Sequence, residues 1–301
     1  MARTGKIVQA RPYGPAELDE DLAALQLRYP ELQRQPAGAS VMGKRLELLR
    51  IGRGSRHVHL NASFHANEWI TSLALMRWTE ELLERRAAGV DPADGLSLWL
   101  LPMVNPDGVE LALRGVPEGH PYGRQLLEWN RGSADFSGWK ANIRGVDLND
   151  QFPAHWDEER RRRGMEGPGP RDYPGESPLS EPEARAAAAL TERESFDVVA
   201  ALHTQGEEIY WNYRGLEPAC ARGMAERLAR ASGYAAVELE GSDAGYKDWF
   251  IQRFRRPGFT IELGCGANPL PLEQQDDIVA RLRPLLEELL RLAREEDGPA
   301  R

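Results

Sequence analysis

Two residues three positions apart, His65 and Glu68, carry side chains that could bind a metal ion. They follow an apolar run over residues 57–63, which predicts a strand, and they precede a helical pattern that begins at Trp69. A neutral imidazole and a carboxylate in one bend of chain can reach the same cation, and this combination suits zinc. The spacing alone fits a surface histidine and a helix-start glutamate equally well, so other residues must decide.

Two further candidates, His203 and Glu262, lie at or near the ends of apolar runs. Ligands of open α/β sheets bind at the carboxyl ends of the strands. His203 would complete a set of two histidines and one carboxylate, which leaves zinc an open position for catalysis. Because a carboxylate is costly to bury unless it is paired or functional, we predict that Glu262 is the general base that deprotonates the attacking water. The remaining histidines are alternative ligands, and the first two are interpreted as structural: His57, His59, His120 and His155.

The elements that must position these groups alternate between helices and strands. Amphipathic patterns predict helices over residues 15–29, 69–86, 180–194, 218–232 and 272–296. Apolar runs predict a hairpin over 41–51 and strands over 57–63, 96–104, 196–202, 208–213 and 259–263. This order is typical of an α/β fold with a parallel or mixed sheet and helices on both faces. Residues 114–145 are predicted to form a long loop. Residues 157–178, with the arginines at 160–163, are predicted to form a mobile, self-paired surface excursion.

The bulk properties exclude several classes of function. The chain has 301 residues, 41% of them hydrophobic, and its formal net charge is -9. We expect one catalytic domain over residues 1–301, with disorder allowed for residues 1–11. An acidic chain lacks the basic face that nucleic acids require. No apolar run fits a signal peptide or a membrane span. We therefore expect a cytoplasmic location, no nucleic-acid, membrane or obligate protein partner, and no wall-binding module.

The motifs taken together resemble the zinc carboxypeptidase family. The resemblance covers nearly the whole chain from about residue 12 and rests on five features in the family's order: His65 with Glu68, Asn-Pro-Asp-Gly at 105–108, Gly-Val-Asp-Leu-Asn at 145–149, His203 and Glu262. It implies an α/β/α sandwich around an eight-stranded mixed sheet, with one zinc ion per chain. It also implies that His65, Glu68 and His203 bind the zinc and that Glu262 is the general base and acid.

The resemblance assigns roles to two more residues near the zinc. Asp147 would accept a hydrogen bond from His65 and fix its ring, a contact whose loss typically costs ~10–100-fold in affinity or activity. Lys140 falls where the family has an arginine that stabilises the oxyanion. A lysine supplies the charge at a single point rather than as a fork.

The substrate side departs from the family. Asn149 and Asp150 stand where the family has an asparagine and an arginine that hold the substrate's terminal carboxylate. Asp150 would repel a carboxylate and attract an ammonium. Lys247 falls at the specificity pocket, where it would favour an acidic group. Arg144 is a further candidate for binding a substrate carboxylate. The family's substrate-site tyrosine has no counterpart, and neither Tyr234 nor Tyr246 is assigned that role.

A pocket with both Asp150 and Lys247 suits a side chain that carries an amine and a carboxylate, as meso-diaminopimelate does. Residues 139–149, 245–249 and 267–271 resemble the bacterial branch that cleaves γ-D-glutamyl–meso-diaminopimelate bonds in cell-wall peptides. The main hypothesis is therefore a zinc metallopeptidase acting on peptidoglycan-derived peptides. The alternatives are a metallocarboxypeptidase of altered specificity, an N-acyl amino acid deacylase of the same fold, and an inactive protein that binds wall peptide.

Overall fold

The computed structural model describes residues 5–295, which contain one eight-stranded mixed sheet. The strands β1 to β8 are Gln33–Ala39, Arg45–Ile51, Arg56–Ala62, Leu96–Leu101, Val198–His203, Glu208–Tyr210, Ala235–Val237 and Gly258–Glu262. The helices α1 to α9 are Pro15–Arg28, Ile70–Ala87, Pro106–Arg114, Gly123–Trp129, Trp156–Arg163, Pro182–Glu194, Ala221–Ser232, Tyr246–Phe254 and Gln275–Arg294. The strand order is β1-β2-β4-β3-β5-β8-β6-β7. The predicted eight-stranded mixed sheet is confirmed.

Four parallel strands, in the order β4-β3-β5-β8, form the centre of the sheet. Every residue of β4 and β5 is buried, as expected for strands covered on both faces. The carboxyl ends of β3, β5 and β8 meet at one edge, where His203 pairs in register with Glu262. The parallel centre therefore brings the candidate residues from three distant stretches of sequence to one place.

Helices cover both faces of the sheet. The apolar face that includes Val58 and Leu60 packs against α1, α2, α7 and α9. The opposite face packs against α6 and α8. On this second face His59 is fully buried, stacks on Phe196 and contacts the Trp99 carbonyl at 2.9 Å through Nδ1. Burial lowers the pKa of His59 to about 4, so the side chain is neutral and structural, as predicted.

Several predicted boundaries are wrong. The first strand of the hairpin is β1, ahead of residue 41, and it carries Pro36 at the sheet edge, where a missing amide is tolerated. The predicted loop at 114–145 contains α4, and the predicted excursion contains α5. Near the start of the described chain, the amides of Ile7 and Val8 donate to the buried carboxylate of Glu80 at 2.7 and 2.9 Å. Residues 1–4 and Glu296 lie outside the described part.

Within residues 5–295 the helices are too short or too polar to span a membrane.

Candidate active site

Three buried side chains converge at the carboxyl edge of the sheet. His65 precedes and Glu68 ends a short 3-10 helix, Ala66–Glu68, that follows β3, and His203 ends β5. The Nδ1 atoms of the two histidines lie 3.2 Å apart. The Glu68 carboxylate lies 2.8 Å from His65 Nδ1 and 3.1 Å from His203 Nδ1. One donor atom from each residue therefore faces a common point, and within residues 5–295 this trio forms a group that could hold a metal ion.

The three candidate ligands are held from behind by polar contacts. His65 Nε2 lies 3.2 Å from Asp147 Oδ1, the residue that the family resemblance implies beside the His65 ring. The Glu68 carboxylate accepts from the Thr204 amide at 3.2 Å and from the Asn268 side chain at 3.4 Å. Such contacts fix the ring and carboxylate orientations that a metal needs.

The Asn-Pro-Asp-Gly turn at 105–108 begins helix α3 and connects two segments of the site. Asn105 caps α3 by accepting from the Gly108 amide at 3.0 Å. Its amide nitrogen donates to the carbonyls of Phe64 and Ala141, both at 3.1 Å. Phe64 precedes His65 and Ala141 follows Lys140. This one side chain therefore ties the metal-binding turn to the segment that carries the predicted oxyanion residue.

Glu262 and Lys140 line the same cavity as the three candidate ligands. The cavity has a volume of about 510 Å³. Burial and the nearby Glu68 carboxylate raise the pKa of Glu262 well above its ordinary value. Lys140 Nζ lies 2.8 Å from Asp147 Oδ2 and 3.2 Å from Asp172 Oδ1. Burial alone would lower the pKa of Lys140, but Asp147 and Asp150 outweigh it and keep the pKa above its usual range.

Asp150, a predicted substrate-binding residue, is paired with an arginine that the sequence analysis did not connect to it. Its buried carboxylate accepts from Arg163 Nη2 at 3.2 Å through Oδ1, and Arg163 Nε lies 2.8 Å from Oδ2. Arg163 ends α5, inside the stretch predicted to be a solvated excursion, and it also pairs with buried Glu159 at 2.8 Å. Burial and the Asp147 carboxylate raise the pKa of Asp150 to about 7, although Arg163 opposes the shift. The expectation that Asp150 presents a bare negative charge therefore needs correction.

Lys247 is also paired. Its ammonium donates to the Asn212 carbonyl and lies 2.6 Å from Asp248 Oδ1, and the side chain is only 4% exposed. Asn149 is close by, since its side-chain oxygen accepts from the Tyr246 amide at 3.3 Å. We call Asn149, Asp150, Arg163 and Lys247 the leaving-group region, after the role that is proposed for them below.

Two other residues from the sequence analysis have their partners outside the catalytic cavity. Arg144 contacts the Tyr122 hydroxyl and lies 3.6 Å from Glu181, and, like Asn149, Asp150 and Lys247, it is not among the residues that line the catalytic cavity. The Tyr246 hydroxyl is buried against Thr191 at 2.8 Å.

Sequence reasoning missed a further set of cavity-lining residues. They are polar and come from four separate segments: Asn67, Arg171, Thr204, Gln205, Tyr210 and Asn268. Asn67 lies between His65 and Glu68, so the spacing of the motif could have indicated it. Nothing in the Gly- and Pro-rich sequence around Arg171 points to the cavity, because that segment reaches the site only through long-range hydrogen bonds.

Comparison with known proteins decides the family. A model described as zinc carboxypeptidase matches residues 18–283. The chain belongs to the zinc carboxypeptidase family.

The zinc carboxypeptidase likeness extends to solved structures. Bovine thrombin-activatable fibrinolysis inhibitor, solved in complex with tick carboxypeptidase inhibitor, superposes with a TM-score of 0.76 at 18% identity over 94% of this chain and 98% of that one. Murein-tripeptide amidase MpaA from Escherichia coli O157 superposes with a TM-score of 0.56 at 22% identity over 84% and 91%. At these identities the structures support the fold alone.

Two curated relatives are closer in sequence. Gamma-D-glutamyl-L-diamino acid endopeptidase 1 of Lysinibacillus sphaericus is 48% identical over 274 residues, which cover 88% of this chain and 69% of that protein. The uncharacterized protein YqgT of Bacillus subtilis (strain 168) is 40% identical over 280 residues, covering 89% and 74%.

Family membership implies one zinc ion, and the residues present fit it. Two imidazole nitrogens and one carboxylate are the donors that catalytic zinc sites use, with a position left open. Two Nδ1 atoms 3.2 Å apart cannot both be protonated without repulsion, whereas a shared cation satisfies both. The chain is therefore a zinc-dependent hydrolase of the metallopeptidase class.

Proposed function

We propose that this enzyme hydrolyses the bond between γ-D-glutamate and meso-diaminopimelate in peptidoglycan-derived peptides. The observation that carries the proposal is the 48% identity, over 88% of this chain, to a protein named gamma-D-glutamyl-L-diamino acid endopeptidase 1. The departures from an ordinary carboxypeptidase at Asp150 and Lys247 agree with it.

The proposed site uses His65, Glu68 and His203 as zinc ligands. A zinc ion held there supplies Lewis-acid charge and lowers the pKa of a bound water from 15.7 to roughly 7. Glu262 stands beside the ligands at the end of β8, where its carboxylate can take the proton of the attacking water and pass it to the leaving amine. Lys140 presents its ammonium to the same cavity and would stabilise negative charge that develops on the scissile carbonyl oxygen.

Asp147 has a double role in this proposal. One of its oxygens lies 3.2 Å from His65 Nε2 and the other lies 2.8 Å from Lys140 Nζ. The first contact fixes the His65 ring and the second fixes the ammonium. The ligand set and the oxyanion group are thus positioned by one buried carboxylate.

The leaving-group region would receive the diaminopimelate. Its side chain ends in an ammonium and a carboxylate, and this region offers both signs of charge as close pairs, Asp150 with Arg163 and Lys247 with Asp248. Arg163 keeps 31% of its side chain exposed, so its guanidinium can meet a substrate carboxylate while Asp150 lies next to the ammonium. An L-lysine residue offers only the ammonium and would leave the cationic partner unmatched.

The experiment is hydrolysis of L-Ala-γ-D-Glu-meso-diaminopimelate, followed by mass spectrometry, with zinc and with a chelator. The matched substrate is the same peptide with L-lysine in place of diaminopimelate. We expect zinc-dependent release of diaminopimelate and poor cleavage of the lysine peptide. Cleavage of neither peptide, with hydrolysis of a simple N-blocked dipeptide, would instead favour a metallocarboxypeptidase of altered specificity.

A further inference from the structure

The catalytic cavity contains an arginine that has no part in the roles described above. Arg171 lines the cavity with Lys140 and Glu262, and its side chain is exposed. Between residues 5 and 295, no ion pair or side-chain hydrogen bond of Arg171 is found. Its neighbours differ in this respect, because Lys140 pairs with Asp147 and Asp172, and Arg163 pairs with Asp150. Arg171 is therefore a cation with free donors beside the reacting groups.

The backbone around Arg171 is held firmly against the active site. The Pro170 carbonyl accepts from the amides of Lys140 and Ala141 at 2.9 and 3.0 Å. On the other side, the Tyr173 carbonyl accepts from the Asp147 amide at 2.7 Å. Hydrogen bonds on both sides of Arg171 therefore tie its backbone to the segment of Lys140 and to the segment of Asp147.

A glycine permits this close approach. Gly145 has φ +70°, and a Cβ there would lie 2.7 Å from the Gly169 nitrogen. The Gly169 amide donates to the Gly145 carbonyl at 3.0 Å. The chain before Arg171 can therefore pack directly on the Gly145–Asp147 turn. The backbone of Arg171 is therefore fixed at the cavity, and its guanidinium is available to bind an anion.

The position of Arg171 indicates which part of a substrate it faces. The cavity lining includes none of Asn149, Asp150 and Lys247, which are proposed to hold the leaving group. The space around Arg171 therefore belongs to the acyl side of the scissile bond. A γ-linked glutamate carries a free α-carboxylate on that side, separated from the scissile carbonyl by a short aliphatic chain.

We propose that Arg171 binds the α-carboxylate of the γ-linked glutamate and so selects γ-glutamyl bonds. The guanidinium can form a bidentate pair with a carboxylate, which adds geometric selection to the charge attraction. This proposal rests on the proposed function and adds a specificity-determining residue on the acyl side.

The test compares two peptides and three variants. One peptide is L-Ala-γ-D-Glu-meso-diaminopimelate, and the other is identical except that the glutamyl α-carboxylate is amidated. The variants are Arg171→Gln, Arg171→Lys and Arg53→Gln. Arg53 is exposed in the turn before β3, at the opposite edge of the sheet, and serves as the matched control. Hydrogen bonds to charged groups typically correspond to about 10–100-fold in affinity.

We expect the unmodified enzyme to prefer the free acid by about 10–100-fold in kcat/KM. Arg171→Gln should lose that preference, chiefly through a higher KM for the acid, so that its kcat/KM values for the acid and the amide converge. Arg171→Lys should keep part of the preference, and Arg53→Gln should keep all of it. A binding measurement gives a second readout: adding Arg171→Gln to Glu262→Gln should weaken calorimetric binding of the acid peptide by a similar factor.

Two results would overturn the proposal in distinguishable ways. If the enzyme cuts both peptides equally, or if Arg171→Gln slows both by the same factor, Arg171 does not read the α-carboxylate while the proposed function stands. If the unmodified enzyme cuts neither peptide, the proposed function fails and the role of Arg171 fails with it.

Discussion

Two parts of this active site are built in different ways: the leaving-group region and the metal side, by which we mean the three candidate zinc ligands with Glu262 and Lys140. On the metal side, His65, His203 and Glu262 come directly from the ends of parallel strands, and sheet register places them together. In the leaving-group region, Asp150 acquires its partner from the end of α5, a helix outside the sheet. The comparison teaches that strand geometry fixes the reacting groups, whereas ion pairs between distant segments set the charges that meet the substrate.

The largest effect is expected on the metal side. Glu262→Gln removes the proposed base and keeps the side-chain shape, so kcat should fall about 100–10,000-fold. Steady-state kinetics on the tripeptide with zinc measures this. The bound zinc should stay unchanged, because Glu262 is not a proposed ligand. Glu273→Gln, an exposed surface change, should leave kcat as it is. A Glu262→Gln enzyme with nearly full kcat would remove the residue from the mechanism.

The next prediction tests whether the Lys140 ammonium takes part in the reaction or only neutralises Asp147. Lys140→Met should lower kcat about 100–1000-fold because the oxyanion loses its cation. Lys140→Arg should recover part of the loss, since it keeps a positive charge in the same contacts with Asp147 and Asp172. If Lys140→Met lowered thermal stability but left kcat within a few-fold, Lys140 would only neutralise Asp147.

The leaving-group region should respond as a coupled pair. Arg163→Gln should destabilise the protein, because it leaves the buried Asp150 carboxylate without its cation, whereas Asp150→Asn should cost less, because Arg163 keeps its contact with Glu159. The double variant should recover about 1–3 kcal/mol of the summed loss. Urea unfolding of the four proteins in a double-mutant cycle gives this coupling energy. Strict additivity would show that the two charges do not depend on one another.

The smallest effect concerns a buried carboxylate outside both regions, Glu183. Glu183, in the first turn of α6, accepts from the Val41 amide at 3.0 Å, and burial raises its pKa to about 7. An unfolded glutamate titrates near 4.3. The folded protein therefore binds this proton more tightly, and the resulting stability is complete below about pH 4 and lost as pH rises through 7.

Glu183→Gln should remove that pH dependence. Between pH 5 and pH 8, the free energy of unfolding should decrease less in the Glu183→Gln variant than in the unmodified protein, by about 1–3 kcal/mol. Urea unfolding at both pH values measures this difference. Parallel stability curves for the two proteins would show that Glu183 titrates normally.

The metal side could be predicted from sequence because its signals are local. His65 and Glu68 are three residues apart, and His203 and Glu262 each end an apolar run, so strand prediction alone placed them at one edge. The eight-stranded sheet followed from the resemblance to the family. Strand β1 was missed because it has no buried residue and therefore no apolar pattern, and because Pro36 is tolerated in a strand only at a sheet edge.

The leaving-group region could not be predicted because its contacts are not local. Asp150 and Arg163 are thirteen residues apart in chain, joined by a helix whose charged sequence has no apolar stripe. The run of arginines therefore indicated a solvated segment. No sequence pattern indicated that Arg171 lines the cavity. Its position depends on hydrogen bonds that Lys140, Ala141 and Asp147 donate to its chain neighbours.

The most direct measurement compares two isomers of one tripeptide, in which glutamate is joined to diaminopimelate through either its γ-carboxyl or its α-carboxyl group. Both isomers present the same leaving group and the same total charge, so kcat/KM differs only through the acyl side. The account predicts zinc-dependent cleavage of the γ-linked isomer with a preference of at least about 10-fold over the α-linked isomer. Equal or faster cleavage of the α-linked isomer would contradict it and indicate an ordinary carboxypeptidase.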